Sequence, residues 1–237
     1  YNIVDRIYIG HIPEVGDIAL TGVGVTFPII MLVSAFAAFA GQGGAPLASI
    51  QLGAGNREKA EKILGNSLTL LLIAAVALTV GFSVFKEPIL YAFGASENTI
   101  GYAMDYIGIY LIGTIFVQLA LGLNTFISAQ GKALVAMLSV LIGAVLNICL
   151  DPVFIFGLHM GVKGAALATI ISQAVSAAWV VGFLQPPQRP AHPEEKYAPG
   201  AQGGRPGGRF GRGSLYYAVY GEPGDRGSEH RYADLRR

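Results

Sequence analysis

Between Lys132 and Asp151 lie eighteen residues, ALVAMLSVLIGAVLNICL, none of them ionisable. A run of that length is long enough to cross the hydrocarbon core of a bilayer as a helix, and this one ends on a carboxylate. An acid at bilayer depth costs at least about 2.5 kcal/mol on insertion scales, so it persists where a cavity, a partner or a cation receives it. Asn147, four residues earlier, shares its helical face. Pro152 follows at once; it removes a backbone donor, frees a carbonyl about one turn back and marks a helix kink. Polar capacity therefore accumulates at one depth of an apolar helix, which points to a membrane transporter.

Composition agrees. Of 237 residues, 53% are hydrophobic and only 13% charged, against roughly 25% charged in soluble domains, and the mean hydropathy is +0.53. The charge is also unevenly spread: 9 of the 16 Lys and Arg lie after Leu184, so the first 184 residues are more apolar still. One cysteine, Cys149, excludes an intrachain disulfide framework and reads as a small apolar side chain. The chain begins at Tyr1, inside an apolar pattern and without a signal-peptide succession, and reads as an internal fragment.

The expected architecture is all-α and polytopic. No charge occurs from Ile18 to Asn56, enough for one span. Ile63 to Phe85 is a second, preceded by GAGNREKAEK, where Gly55 can end one helix and Asn56 can cap the next. Tyr106 to Gln130, Ala133 to Gly157 and Gly164 to Leu184 supply three more, and residues 1–10 read as the outer end of a truncated first helix. The intact region would hold six. Arg57, Lys59, Lys62 and Lys132 lie near one set of helix ends, against Lys86, Lys163 and Arg6 near the other, which puts the former in the cytosol, with Trp179 near the inner interface. Asp151 then stands about 27 Å above Lys132 at 1.5 Å per residue. Asp5, in the first helix, and Thr169, in the last, fall at the same outer level.

Each candidate has a plainer reading. Asp5 can be an interfacial residue paired with Arg6, and Asp151 a solvated helix end if its helix stops at Leu150, although FIFGL continues the apolar run. Asp105 reads as an outer-surface charge, and His11 and His159 fall in outer loops without a role. The glycines of AGQGGAPLAS serve close helix packing. Nothing argues for catalysis: there is no nucleophile elbow, HExxH, CxxC pair or phosphate loop, so the chain is not expected to be an enzyme.

Five ordered blocks, YNIVDRIYIGHIPEVGDIALTGVGV, GQGGAPLASIQLGAGNREKAEKILGNS, LNTFISAQGK, LNICLDPVFIFG and GVKGAALATIISQ, resemble the amino-terminal half of multidrug and toxin extrusion (MATE) transporters, in the bacterial MepA-type branch. The resemblance spans residues 1–184. It implies the six-helix amino-terminal lobe of a twelve-helix fold, in a bacterial plasma (inner) membrane, with the first helix truncated. It also implies a monomeric antiporter that exports lipophilic or cationic drugs against Na⁺ or H⁺, with no other cofactor and no nucleic-acid partner. The family's amino-lobe cation site corresponds here to Asp5, Asn147 with Asp151, Thr169 and Asn124. Asn124 departs from the common level, lying eight residues from Lys132 toward the inner end. Carboxylates, an amide carbonyl and a hydroxyl suit Na⁺, a hard cation, and a proton can occupy the same pair because two close carboxylates resist being charged together. Alternatives are a flippase of lipid-linked saccharides from the wider superfamily, which drug accumulation would discriminate, and a membrane scaffold or binding lobe, which would not depend on Asp151. A single lobe would not perform alternating access, which needs two halves around a central site.

After Leu184 the pattern collapses into QPPQRPAHPEEKYAPGAQGGRPGGRFGRG, rich in Pro, Gly and Arg. Taken at face value, 185–237 is a disordered tail, or a binder of anionic lipid or nucleic acid. The resemblance implies instead a second lobe beginning with a segment like APFIMQSTESL. Tyr216 to Gly221, YYAVYG, can be back-translated as TAT TAT GCA GTC TAC GGA. Read one base later, this is ATT ATG CAG TCT ACG GA, or I-M-Q-S-T-E. Permitted codons through Arg237 continue it as SLVTVVVNTGMQTYGG. Residues 185–237 therefore read as out-of-frame translation of the second lobe. DNA sequencing across the codons for Leu184 and Gln185 is expected to reveal a frame change there; one uninterrupted frame with no second lobe hidden beside it would refute this reading.

Overall fold

Hydrocarbon offers no partner to backbone N–H and C=O groups, so a chain of this composition satisfies them internally, as helices. The computed structural model describes residues 2–184; the expected out-of-frame tail, 185–237, lies outside the described residues. These form α1 (Asn2–Gly10), α2 (Gly16–Val25), α3 (Phe27–Gly53), α4 (Arg57–Ala92), α5 (Ile100–Ile112), α6 (Thr114–Ala129), α7 (Ala133–Pro152) with a π-helical turn (Val153–Gly157), and α8 (Val162–Leu184). Helices α3, α4, α8 and α7 with its π turn are each long and apolar enough to cross a membrane, and α5 with α6 makes a fifth span bent by 58°. Helix α1 falls within residues 1–10, read above as part of the first helix. No strand occurs among the described residues.

The boundaries differ from the sequence expectation in three places. The stretch from Ile18 to Asn56 is two helices, broken at Thr26, whose hydroxyl donates back to the Val23 carbonyl at 2.7 Å while Pro28 opens α3; a proline is tolerated in a first turn, where its missing N–H has no helical partner anyway. The span expected from Tyr106 starts at Ile100 and breaks at Gly113. Helix α4 begins at Arg57 and ends at Ala92, longer at both ends than Ile63 to Phe85. Its exposed first turns carry the i,i+4 pairs Arg57–Glu61 (3.1 Å) and Lys62–Glu58 (2.7 Å), each worth only a few tenths of a kcal/mol. The chain turns into α4 on Gly55 (φ 75°), but the Asn56 side chain makes no capping bond.

Two apolar cores hold these helices. One joins Ile9, Val23, Leu90, Ile107 and Val162; the other joins Ala37, Leu71, Leu123, Phe126 and Val180. Apolar side chains gain nothing by leaving lipid, so the contacts that select this arrangement are close backbone approaches and polar pairs. At Gly41 of α3 a Cβ would stand 2.5 Å from the Gly122 carbonyl oxygen of α6, whereas at Gly43 it would meet nothing within 4 Å. Close packing, the reading given to this glycine run, thus holds for Gly41 and for Gly44, where a Cβ would run into the side chains of Ser67 and Phe126.

Gly41→Val is expected to destabilise the fold by about 1–3 kcal/mol through overpacking, measured by reversible SDS unfolding in mixed micelles. Gly43→Ala should stay within roughly 0.5 kcal/mol of the parent, as an open surface site does.

Candidate functional site

Asp5 is 1% exposed, Asn147 and Asp151 are 0%, and Thr169 is 2%. They come from three helices, α1, α7 and α8, and form one hydrogen-bonded group. Asn147 Nδ2 donates to Asp151 Oδ1 at 3.1 Å along the shared face of α7 and lies 3.4 Å from Thr169 Oγ1 on α8. Thr169 Oγ1 donates to Asp5 Oδ2 at 2.7 Å. The common depth read from helix counting is therefore a physical contact.

A fifth member was missed. Tyr106 of α5, 1% exposed, donates its hydroxyl to the same Asp5 Oδ2 at 2.7 Å, and its ring stacks on that of Tyr110 with centroids 6.2 Å apart. The signal was available: a tyrosine opening an apolar run, with a second one turn later, must find a partner for its hydroxyl when buried.

The plainer readings of the two acids do not hold. Arg6 does not pair with Asp5; its guanidinium lies 5.0 Å from the centroid of the Phe27 ring. Asp151 is not a solvated helix end, because α7 runs through Pro152 into the π turn, in which Leu158 N–H donates to the Val153 carbonyl at 2.8 Å. A π-helical turn follows Pro152 immediately, just beyond the site. Asp105 is a surface charge, 3.4 Å from Lys163 Nζ with both side chains about half exposed.

Asn124 does not join the group. Its Oδ1 accepts from Ser139 Oγ at 3.0 Å, and Ser139 lies two helical turns inward of Asn147 on α7. Its departure from the common level is real.

The group holds two carboxyls and no cationic side chain. Among the described residues no three His, Cys, Asp or Glu come together, so the polar set is two carboxyls, an amide and two hydroxyls. Three of its oxygens, Asp5 Oδ1, Asp151 Oδ2 and Asn147 Oδ1, are buried without a hydrogen-bond partner among the described residues. All three are acceptors in these roles. A buried acceptor left unpaired costs about 1–3 kcal/mol, and more when charged, so a group with three of them fits a small cation or a proton.

A family model described as MatE matches residues 1–153. The multidrug export protein MepA of Staphylococcus haemolyticus is 33% identical over 184 residues, 78% of this chain and 40% of that protein. The FAD transporter of Shewanella oneidensis is 27% identical over 188 residues, again 78% of this chain and 41% of its own length. A crystal structure of MATE in the bent conformation superposes with a TM-score of 0.74 at 32% identity, covering 78% of this chain and 40% of that one. An inward-facing MATE family transporter of the MOP superfamily gives 0.75 at 31%, covering 80% and 42%. The chain spans about two fifths of the length of the relatives it matches.

Tyr106→Phe and Thr169→Val each remove one donor from Asp5 Oδ2 and are expected to cost about 1.5–3 kcal/mol, the range for hydrogen bonds to charged groups. Because both donate to one atom, a double-mutant cycle in the same unfolding assay should give a coupling of at least about 0.5 kcal/mol; strict additivity would mean that the two bonds do not share their acceptor.

Proposed function

The chain belongs to the MatE family of membrane transporters, and on that premise we propose that Asp5, Asn147, Asp151 and Thr169 form the coupling-ion site of an antiporter that exports lipophilic or cationic drugs. The observation that carries the reading is the trio of unpaired buried oxygens, on Asp5, Asn147 and Asp151, in a group without a positive side chain. Carboxylate, amide and hydroxyl oxygens are the ligands Na⁺ prefers, and either carboxylate can instead take a proton. Asn124 stays outside this set in the proposal, because its oxygen is engaged by Ser139.

The mechanism follows from charge. With both acids ionised, the lobe holds two negative charges at bilayer depth, a costly state that a cationic drug nearby relieves. Uptake of Na⁺ or H⁺ cancels one of the two charges, weakens that attraction and lowers affinity for the drug. Neutralisation also relaxes the hold of the Tyr106 and Thr169 donors on Asp5, so α1 is free to shift against α5 and α8. Ion uptake from one side and drug release to it are thereby linked, because both report on one charge state. The substrate class is supported by the MepA relatives. The similarity to a protein named FAD transporter supports treating the ion site as the portable part of the fold, with cargo selected elsewhere.

In a full-length two-lobed relative, Asp151→Asn is expected to reduce ion-driven drug efflux by at least about tenfold, as loss of more than 1.4 kcal/mol of coupling does. Proteoliposomes with imposed Na⁺ or pH gradients provide the measurement. Unchanged efflux with unchanged ion dependence would sink the proposal.

A further inference from the structure

The π turn that follows Asp151 is where the three helices carrying the proposed ion site meet. Within it, the Val153, Phe154 and Ile155 carbonyls accept in turn from the N–H groups of Leu158 (2.8 Å), Met160 (3.1 Å) and Gly161 (3.3 Å). The chain reverses on His159 (φ 51°) and Gly161 (φ 54°), so α8 starts against the backbone of the turn it has just left. Gly164, in the first turn of α8, makes the contact: a Cβ there would stand 2.7 Å from the Phe154 carbonyl carbon, 2.8 Å from its oxygen and 3.0 Å from the Ile155 nitrogen. Of the other glycines around the turn, Gly157 would meet only the Pro152 carbonyl oxygen at 4.0 Å and Gly161 nothing within 4 Å. Helix α1 rests on the same turn through Tyr8, whose ring lies edge-on to that of Phe156 with centroids 6.4 Å apart, and through Ile9, which shares a core with Ile155.

We propose that Gly164 is a positioning residue of the carboxylate group: by letting α8 sit directly on the π turn, it sets the reach of Thr169 to Asp5. Asp151 stands two residues before the turn, Tyr8 three residues after Asp5, and Gly164 five residues before Thr169. Each polar member is therefore tied to the turn by a short step within its own helix, about 7.5 Å of axial rise in the case of α8. The contact at Gly164 is made on backbone atoms, with no flexible side chain between them to absorb a displacement. π turns recur at functional sites, and this one gives the group a shared seat.

The margin at the group is small. A methyl at position 164 needs about 3.5 Å to its neighbours, so α8 or the turn would have to give by roughly half an ångström or more. The Thr169–Asp5 bond is 2.7 Å long, and O–H···O bonds extend to about 3.0 Å. A displacement of that size between α8 and α1 takes the Thr169 hydroxyl out of bonding distance of Asp5 Oδ2, while Tyr106, held on α5, keeps its own bond to that atom.

This inference rests on the coupling-site reading for its purpose, but the geometry it asserts is tested without transport. In the lipid-reconstituted 237-residue chain, held acidic enough to protonate Asp5, the infrared C=O band that Asp5→Asn removes reports the hydrogen bonds the carboxyl accepts, because each accepted bond weakens the C=O stretch. Thr169→Val, which removes one of those bonds, moves this band to higher wavenumber, and Gly164→Ala is expected to move it the same way. In a Thr169→Val background, Gly164→Ala should add no further shift. Gly41→Ala, which sets a Cβ against the Gly122 carbonyl oxygen between α3 and α6, should leave the band in place. An unmoved band in folded Gly164→Ala overturns the proposal, as does an equal shift in Gly41→Ala or a further shift on top of Thr169→Val. If Gly164→Ala does not fold, Tyr8→Leu, which releases α1 from Phe156 without adding bulk, carries the comparison: the band is expected to rise, and no shift there overturns the shared seat. None of these outcomes alters the effect of Asp151→Asn on efflux, so the two readings fail separately.

Discussion

The Asp5 Oδ2 atom accepts from Tyr106 of α5 and Thr169 of α8, and Thr169 in turn meets Asn147 of α7. Helices α1, α5 and α8, far apart in sequence, are thus tied through one carboxylate oxygen, with α7 joined through Thr169, in a setting where apolar surfaces alone would not choose their neighbours. Without an acid at position 5, α1 would keep its apolar contacts through Ile9 but lose its polar anchor. The remainder of the lobe can be understood as support for this knot: one apolar core beside it, a second core beyond it, and the bend at Gly113 that lets α5 present Tyr106 while α6 follows another direction.

The support does not neutralise what it surrounds. Hydroxyls and an amide reach the two carboxyls, but among the described residues no ammonium or guanidinium side chain does, and such cations lie elsewhere: Arg6 over Phe27, Lys163 beside Asp105, Lys132 over Phe183. A protein built for stability alone would place one of these beside the acids, or dispense with the acids. Leaving the pair without a resident cation keeps the site open to a transient one.

Much of this was legible in the residues. The uncharged run before Asp151, the spacing to Asn147 and the helix counts that set Asp5 and Thr169 at one level rest on the fixed rise and periodicity of a helix, which the sequence carries directly. The helix breaks at Thr26 and Gly113 were less visible, because neither residue prohibits a helix: the first involves a local hydroxyl bond to Val23, and at the second only the fold brings Ile170 against the missing side chain. Tyr106 was missed because a tyrosine near the start of a span is as readily an interfacial anchor as a ligand, and only the fold brings it to Asp5. Asn124, carried in by resemblance against its depth, stands apart from the group and bonds Ser139 instead, as its helix position indicated.

One packing detail bears on how such lobes diverge. A Cβ at Gly113 would collide with the side chain of Ile170, the residue next to Thr169. The missing side chain at the bend and the bulky one beside the site are therefore two halves of a single volume. A lineage that enlarges position 113 must shrink position 170, and in doing so alters the packing around the neighbouring threonine. These two positions are expected to drift as a pair among relatives, so that a change in the curvature of the bent span carries with it a change in the immediate surroundings of the carboxylates.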